Sequence, residues 1–384
     1  MPYNRPVLLA KKDSRTFVSL WNCRDMLKHN LRVLFLVHWI VPVALSSDVV
    51  PYPDHSNLLV IRDADGNERP VKTKADWAIR LDHVRANMQL VMGPLPDASR
   101  RVPLDAEYGP EEATEKYIRR KVMFNPEPDD RVPAWILIPK RIPANGTSPA
   151  MLCLHQTNNV GKDEPAGLGG LSNLYYAHEL AERGFVCIVP DYPSFGEYKY
   201  DFKTKGAHYA SGSMKAIWNN MRAVDLLETL PQVDKTRIGV IGHSLGGHNA
   251  LFTAIFDERL RATVSSCGFT PFHDYYQGKL MGWTSDRYMP RIREVYGNDP
   301  DKVPFDFYEI LAGLAPRGFY SNSPIRDSNF DIEGVRKAFA KAEAIFSLFD
   351  AKDSLKLATP DAAHDFPVEQ RHEAYDWLRK QFSN

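Results

Sequence analysis

From residue 150 onward, short apolar runs alternate with stretches of helical periodicity, and few folds accept that rhythm. The runs are AMLCLHQT, FVCIVPDYP, RIGVIG, RATVSSCG, RGFYSNS and LKLATP. Between them lie LSNLYYAHELAERG, SMKAIWNNMRAVDLLETL, SLGGHNALFTAIF and FDIEGVRKAFAKAEAIFSLF, and EQRHEAYDWLRKQF closes the chain. Strands that are apolar along their length and joined by helices predict an α/β fold. Its central sheet is mainly parallel, with helices on both faces. Residues 269–314 interrupt the pattern with interleaved aromatics, charges and prolines, and predict a small helical cap over one end of the sheet.

Upstream, KVMFNPE and VPAWILIPK flank Pro128, Asp129, Asp130 and Arg131 and predict an antiparallel pair at the sheet edge. Trp77, Leu81, Val84, Met88 and Val91 recur at helical spacing until Gly93 and Pro94 stop them, so one amphipathic helix is expected to pack on the main body. The expected division is an extension at 1–47, an arm with that helix at 48–114, and a main domain at 115–384 carrying the cap at 269–314.

Hydrophobic residues make up 43% and charged residues 25% of the 384, with 48 basic against 48 acidic side chains. That balance, with no long basic tract, argues against nucleic acid as a partner. Of the four cysteines, Cys153 and Cys187 lie inside apolar runs and Cys267 closes another, positions of buried free thiols. No pair, Cys23 included, has zinc-ligand spacing. Lys28 and Arg32 precede VLFLVHWIVPVA, and LSSD follows: a basic start, a short apolar core and small residues near a cut after Ser46. Met26 would open such a signal. The expectation is a periplasmic or secreted protein if the 26–46 segment is used, and a cytoplasmic one otherwise. The apolar run is short for a membrane span, and none is expected in the mature form. Sequence leaves the oligomeric state open.

Within RIGVIGHSLGGHNALF, Ser244 sits between Gly242 and Gly246, after a strand and at the start of a helix. A sharp turn there would expose its oxygen, and side chains two positions before and after would collide, hence the glycines. A serine needs a base to take its proton. His364, in TPDAAHDFP, follows the last expected strand and is the best placed. His243 would point away from the elbow, His248 lies one turn into the helix as a core or supporting residue, and His372 is on the closing helix. The base needs a carboxylate to fix its tautomer. Asp327, in SNSPIRDSNFD, suits that role. Asp331 reads as the N-cap of the next helix, and Asp350 and Asp353 are the remaining candidates. The amides of Leu245 and Gln156 are the expected donors to an oxyanion. The linear spacing offers no metal-ligand cluster, and the chemistry calls for no cofactor.

These residues resemble the alpha/beta-hydrolase superfamily over 115–384, with nucleophile elbow, later acid and final histidine on Ser244, Asp327 and His364. The closer resemblance is to the dienelactone-hydrolase and acetyl-xylan-esterase-like branches, carried by LCLHQT, DYPSFGEY and HDFP. It implies a serine carboxylic-ester hydrolase working through an acyl-enzyme. Candidate substrates are short-chain esters or acetylated carbohydrate. The departures are glutamine and threonine at the first strand end, where members carry glycine, and serine where dienelactone hydrolase has cysteine. Alternative activities are a serine peptidase or aminopeptidase and an acyl-CoA thioesterase. An inactive binding protein of the same fold is the non-enzymatic alternative. His155, Tyr192, Phe195, Trp283, Tyr288 and Phe305 are candidates to touch substrate, and packing of the cap on the sheet is the competing role.

Overall fold

The computed structural model describes residues 49–144, 146–204 and 208–383. The expected signal segment at 26–46 lies outside the described residues.

Strands β1 (Val60–Arg62) and β2 (Glu68–Pro70) form a small hairpin, followed by helix α1 (Lys74–Met92). Next come β3 (Glu107–Ala113), β4 (Tyr117–Phe124), β5 (Val132–Pro139) and β6 (Ser148–Leu154). Helix α2 (Tyr176–Glu182), β7 (Val186–Pro190), α3 (Gly212–Thr229), β8 (Val233–His243), α4 (Leu245–Phe256) and β9 (Leu260–Ser266) continue the alternation. The cap region holds short helices α5 (Arg291–Glu294) and α6 (Phe307–Gly313) among turns; β10 (Gly318–Asn322), α7 (Ile332–Leu348), β11 (Leu355–Ala358) and α8 (Val368–Gln381) complete the chain.

The nine-stranded sheet runs β11-β10-β9-β8-β6-β7-β5-β4-β3. Strands from β11 to β7 are parallel, while β5, β4 and β3 run antiparallel at the other side. Period-two alternation divides each central strand between two cores. Ala150 and Leu152 of β6 join the core containing α1, α3, α4, α6 and α7, whereas Met151 and Cys153 join that under α2 and α8. All four are fully buried, which is why AMLCL, residues 150–154, reads as continuously apolar.

The sheet starts at Glu107, ahead of the expected domain start at 115. EYGPEEA carries no apolar alternation because it is an edge strand with mostly exposed residues. Its register shifts between Tyr108 and Glu111, around Gly109 and Pro110, and Glu112 pairs with Arg119 at 2.8 Å. A bulge, a proline and charges protect such an edge from further pairing.

Helix α1 begins at a capping box between Thr73 and Asp76 and packs as its apolar spacing predicts, with Trp77, Val84, Met88 and Val91 buried. Its Arg80 is also fully buried, hydrogen-bonded to Glu309 of α6 and stacked at 3.1 Å over the Tyr52 ring. Burial opposes ionisation of Glu309, but Arg80 and His55 hold its carboxyl below the ordinary range. This ion pair ties the N-terminal helix to the cap. Arg80→Ala would leave the buried Glu309 carboxylate with only His55 beside it and should cost about 3–5 kcal/mol in denaturant unfolding; a loss below about 1 kcal/mol, typical of an exposed pair, would contradict this assignment.

Candidate active site

The parallel strands end in register. Leu154 pairs with Gly242, His243 with Ser266, and Asn322 with both Ser266 and Ala358. The segments that follow these ends carry His155, Ser244, Cys267, Asp327 and His364, so distant parts of the chain meet along one carboxyl edge, where open α/β sheets carry their sites.

Ser244 has φ 53° and ψ −115°, a strained combination for a residue with a side chain. The turn closes so tightly that a Cβ on Gly242 would lie 2.2 Å from the Gly246 carbonyl oxygen, and one on Gly246 would lie 1.9 Å from that of Leu154. Glycine is therefore required on both sides. The Ser244 amide donates to the Ser266 carbonyl at 2.8 Å, which fixes the elbow to β9. Leu245 opens α4, so its amide is among those that a helix leaves unpartnered at its N-terminus.

Asp327 and His364 meet directly: Nδ1 of the histidine lies 2.9 and 3.0 Å from the two carboxylate oxygens. The amides of Asn329 and Phe330 also donate to Asp327, at 2.8 and 3.3 Å. Ile325 and Arg326 donate to the carbonyls of Pro360 and Ala362, joining the acid loop to the base loop. The Asp327 side chain is 2% exposed and that of His364 21%, so the carboxylate is shielded while the imidazole keeps one edge open. The His364 ring lies 4.9 Å from that of His243, the residue before the serine. Asp331 caps α7 through the amides of Glu333 and Gly334, as expected, and Asp350 is 91% exposed.

His243 is buried, with Nδ1 2.9 Å from Ser266 Oγ, which in turn accepts from Asn322. Burial, with the neighbouring His364, drives it well below the ordinary imidazole range. It stays neutral and structural.

The loop after β6 is held from two sides. The Tyr192 amide donates to His155 Nε2 at 2.9 Å, so Nδ1 carries the proton and donates to the Gln156 carbonyl at 2.6 Å. Both nitrogens are used and the ring is 2% exposed, so His155 positions this loop and does not touch substrate. Glu164, unnoticed in the sequence, accepts from the Gln156 side chain at 3.0 Å, the Asn158 side chain at 2.5 Å and the Leu171 amide at 3.0 Å. Burial raises its pKa, against the pull of those donors. Relative to the unfolded chain this favours folding at low pH, and the contribution is lost as pH rises through the folded value.

Beside Ser244 opens a recess of about 250 Å³ lined by Thr157, His248, Trp283, Tyr288 and Phe330 among others, with no charged side chain among the described residues that form it. Thr157 and Tyr288 share a hydroxyl hydrogen bond at 2.9 Å. The Trp283 indole N–H and both His248 nitrogens are buried, with no hydrogen bond of ordinary geometry among the described residues. Burial pushes His248 down to about 3, against a small opposite effect of the Gly268 backbone. A larger hollow, about 570 Å³, lies by Pro149, Gly184 and Arg237 near the opposite strand ends and contains none of these groups.

Of the aromatic candidates, Trp283 and Tyr288 line the recess. Phe305 does not: it is fully buried against Phe252 and Phe272. Tyr192 and Phe195 are corrected likewise, since they pack with Ala216 and Leu245 beneath the elbow, and the Tyr192 hydroxyl donates to the Arg287 carbonyl. His248, Thr157, Asn329 and Phe330 are lining residues that linear spacing could not reveal, because the cap and acid loop bring them together.

A family model described as glucuronyl esterase, fungi, matches residues 199–350. The YtaP protein of Bacillus subtilis (strain 168) is 25% identical over 310 residues, covering 77% of this chain and 98% of that protein. The 4-O-methyl-glucuronoyl methylesterase of Hypocrea jecorina (strain QM6a) is 28% identical over 162 residues, 38% of this chain and 34% of the relative. A glucuronoyl esterase from Solibacter usitatus superposes with a TM-score of 0.68 at 19% identity, covering 88% of this chain and all of that one. The chain therefore has an alpha/beta-hydrolase-like fold related to glucuronoyl esterases, and these matches do not single out the dienelactone-hydrolase branch.

Glu164→Gln keeps the side-chain shape but sets an NH₂ group against N–H donors, so the Gln156 loop should loosen. Labelling of Ser244 by a fluorophosphonate should slow roughly 10- to 100-fold with unchanged circular dichroism, and the acid-side fall in rate caused by protonating Glu164 should vanish. An unaltered rate and pH profile would remove Glu164 from the site.

Proposed function

We propose that this chain is a serine carboxylic-ester hydrolase acting through an acyl-enzyme on esters borne by sugars or sugar acids. The observation that carries the reading is the pairing of Asp327 with His364 Nδ1, at the sheet edge where Ser244 is forced out of the backbone. A carboxylate on Nδ1 keeps the proton there and leaves Nε2 as the base. Nε2 then removes the Ser244 proton as Oγ attacks the ester carbonyl. The amides of Leu245 and Gln156 receive the oxyanion, where each aligned donor contributes about 3 kcal/mol to the transition state. The imidazolium returns its proton to the departing alcohol, and water repeats the sequence to release the acid.

The recess supports the substrate class. Its lining is uncharged among the described residues, which suits a neutral ester and gives no clamp for a charged peptide terminus. Trp283, Tyr288 and Phe330 give the recess aromatic walls against which a sugar ring can pack. The relatives named for glucuronoyl esters point the same way. No helix among the described residues is long and apolar enough to cross a membrane.

The test is a panel of p-nitrophenyl acetate, a methyl glucuronate ester, an acetylated sugar and an aminoacyl amide. Sugar-acid or sugar esters should have the highest kcat/KM, and Ser244→Ala should lower turnover by at least about 10⁴-fold. Asp327→Asn should lower kcat by about 10⁴-fold. Amide cleavage above ester cleavage would favour a peptidase instead, and unchanged turnover in Ser244→Ala would end the reading. We further propose export through the 26–46 segment. Protein recovered outside the cytoplasm should begin at Ser47; an intact Met1 there would contradict cleavage.

A further inference from the structure

The Asp327–His364 pair has a third neighbour that the proposed reaction does not use. Cys267, just past the end of β9, has φ 49°, which turns the chain sharply. Its Sγ, a carboxylate oxygen of Asp327 and a ring nitrogen of His364 lie within 4.8 Å of one another. The thiol now donates to the Asp365 carbonyl at 3.3 Å. The three residues come from three separate loops, so linear spacing gives no sign of the cluster.

We propose that Cys267, Asp327 and His364 form an inhibitory site for zinc or a similar thiophilic divalent cation. Thiolate, imidazole and carboxylate make a donor set that suits zinc and disfavours magnesium or calcium, which take oxygen ligands. Donors around tetrahedral zinc stand roughly 3.3–3.8 Å apart, given metal–ligand bonds of about 2.0–2.3 Å. The present cluster therefore needs to contract by only about 1 Å. Burial and the Asp327 carboxylate hold the thiol protonated in the metal-free chain, so the ion has to displace that proton to solvent; thiolate and carboxylate then neutralise its 2+ charge. Cys267 and the Asp327 side chain are buried, so the metal has to enter past the partly exposed His364 ring, carrying a water that completes the coordination.

The consequence for catalysis rests on the reading of His364 as base. A metal on Nδ1 moves the imidazole proton to Nε2, the nitrogen that must be free to receive the Ser244 proton. It also takes the carboxylate away from the ring. Bound metal therefore switches the serine off without occupying the substrate recess, and inhibition should not be relieved by raising substrate.

The experiment uses the full chain with two readouts. Cobalt(II) should produce a thiolate-to-cobalt charge-transfer absorption that excess zinc abolishes and that Cys267→Ser lacks. Zinc should inhibit ester turnover reversibly by chelator, and Cys267→Ser should need at least about 10-fold more zinc for half-inhibition, each protein being compared with its own metal-free rate. Absence of the absorption in the native chain, or its persistence in Cys267→Ser, would overturn the site. So would equal inhibition by magnesium or equal zinc sensitivity in the variant. If Cys267→Ser does not fold, the native cobalt spectrum and its displacement by zinc decide the matter, with Cys267→Ala as the second variant. A chain with no ester turnover would sink the esterase reading while the cobalt spectrum still tested the metal site.

Discussion

Everything at the carboxyl edge depends on a steric constraint in the backbone at residues 242–246. With the Leu154 carbonyl only 1.9 Å from where a Gly246 Cβ would sit, helix α4 approaches β6 as closely as a backbone can. That approach accompanies the positive φ of Ser244 and places it directly before the first residue of α4. The strain is offset by the surrounding sheet: β8 lies between β6 and β9 with Val240 and Ile241 fully buried on opposite faces. A looser sheet would let the elbow relax to ordinary geometry, and the serine would lose its exposure.

Around this fixed point the other groups are held in layers. Asp327 is held by two backbone amides and faces His364, and the loops that carry the two residues are hydrogen-bonded to each other. The loop after β6 is held by His155 from below and by the buried Glu164 from the side. His155 and Glu164 are both 2% exposed, and a 1 Å displacement at such a site is enough to slow an acyl transfer substantially. The N-terminal helix contributes at longer range, through the Arg80–Glu309 pair that fastens the cap whose Trp283 and Tyr288 shape the recess.

The parts of this arrangement that were legible in the sequence are those with local causes. Apolar runs revealed the strands, glycines at 242 and 246 revealed the elbow, and Asp327 and His364 fell on the loops after β10 and β11, where the two side chains pair. Edge strand β3 was illegible because EYGPEEA is exposed and has no apolar alternation; only its pairing with β4 makes it a strand. Aromatic residues misled for the opposite reason. Phe305, Phe195 and Tyr192 have the composition of a binding cleft, yet Phe305 is buried against Phe252 and Phe272 and the other two against Ala216 and Leu245, contacts that no local pattern encodes. Glu164 and Cys267 acquire meaning only from neighbours distant in the chain.

The most direct measurement is peptide mass spectrometry after reaction with a fluorophosphonate, on the native chain and on His364→Ala. The account predicts a single adduct on Ser244 in the native chain and labelling slower by orders of magnitude in the variant. An adduct on another residue, or equal labelling in both proteins, would contradict it.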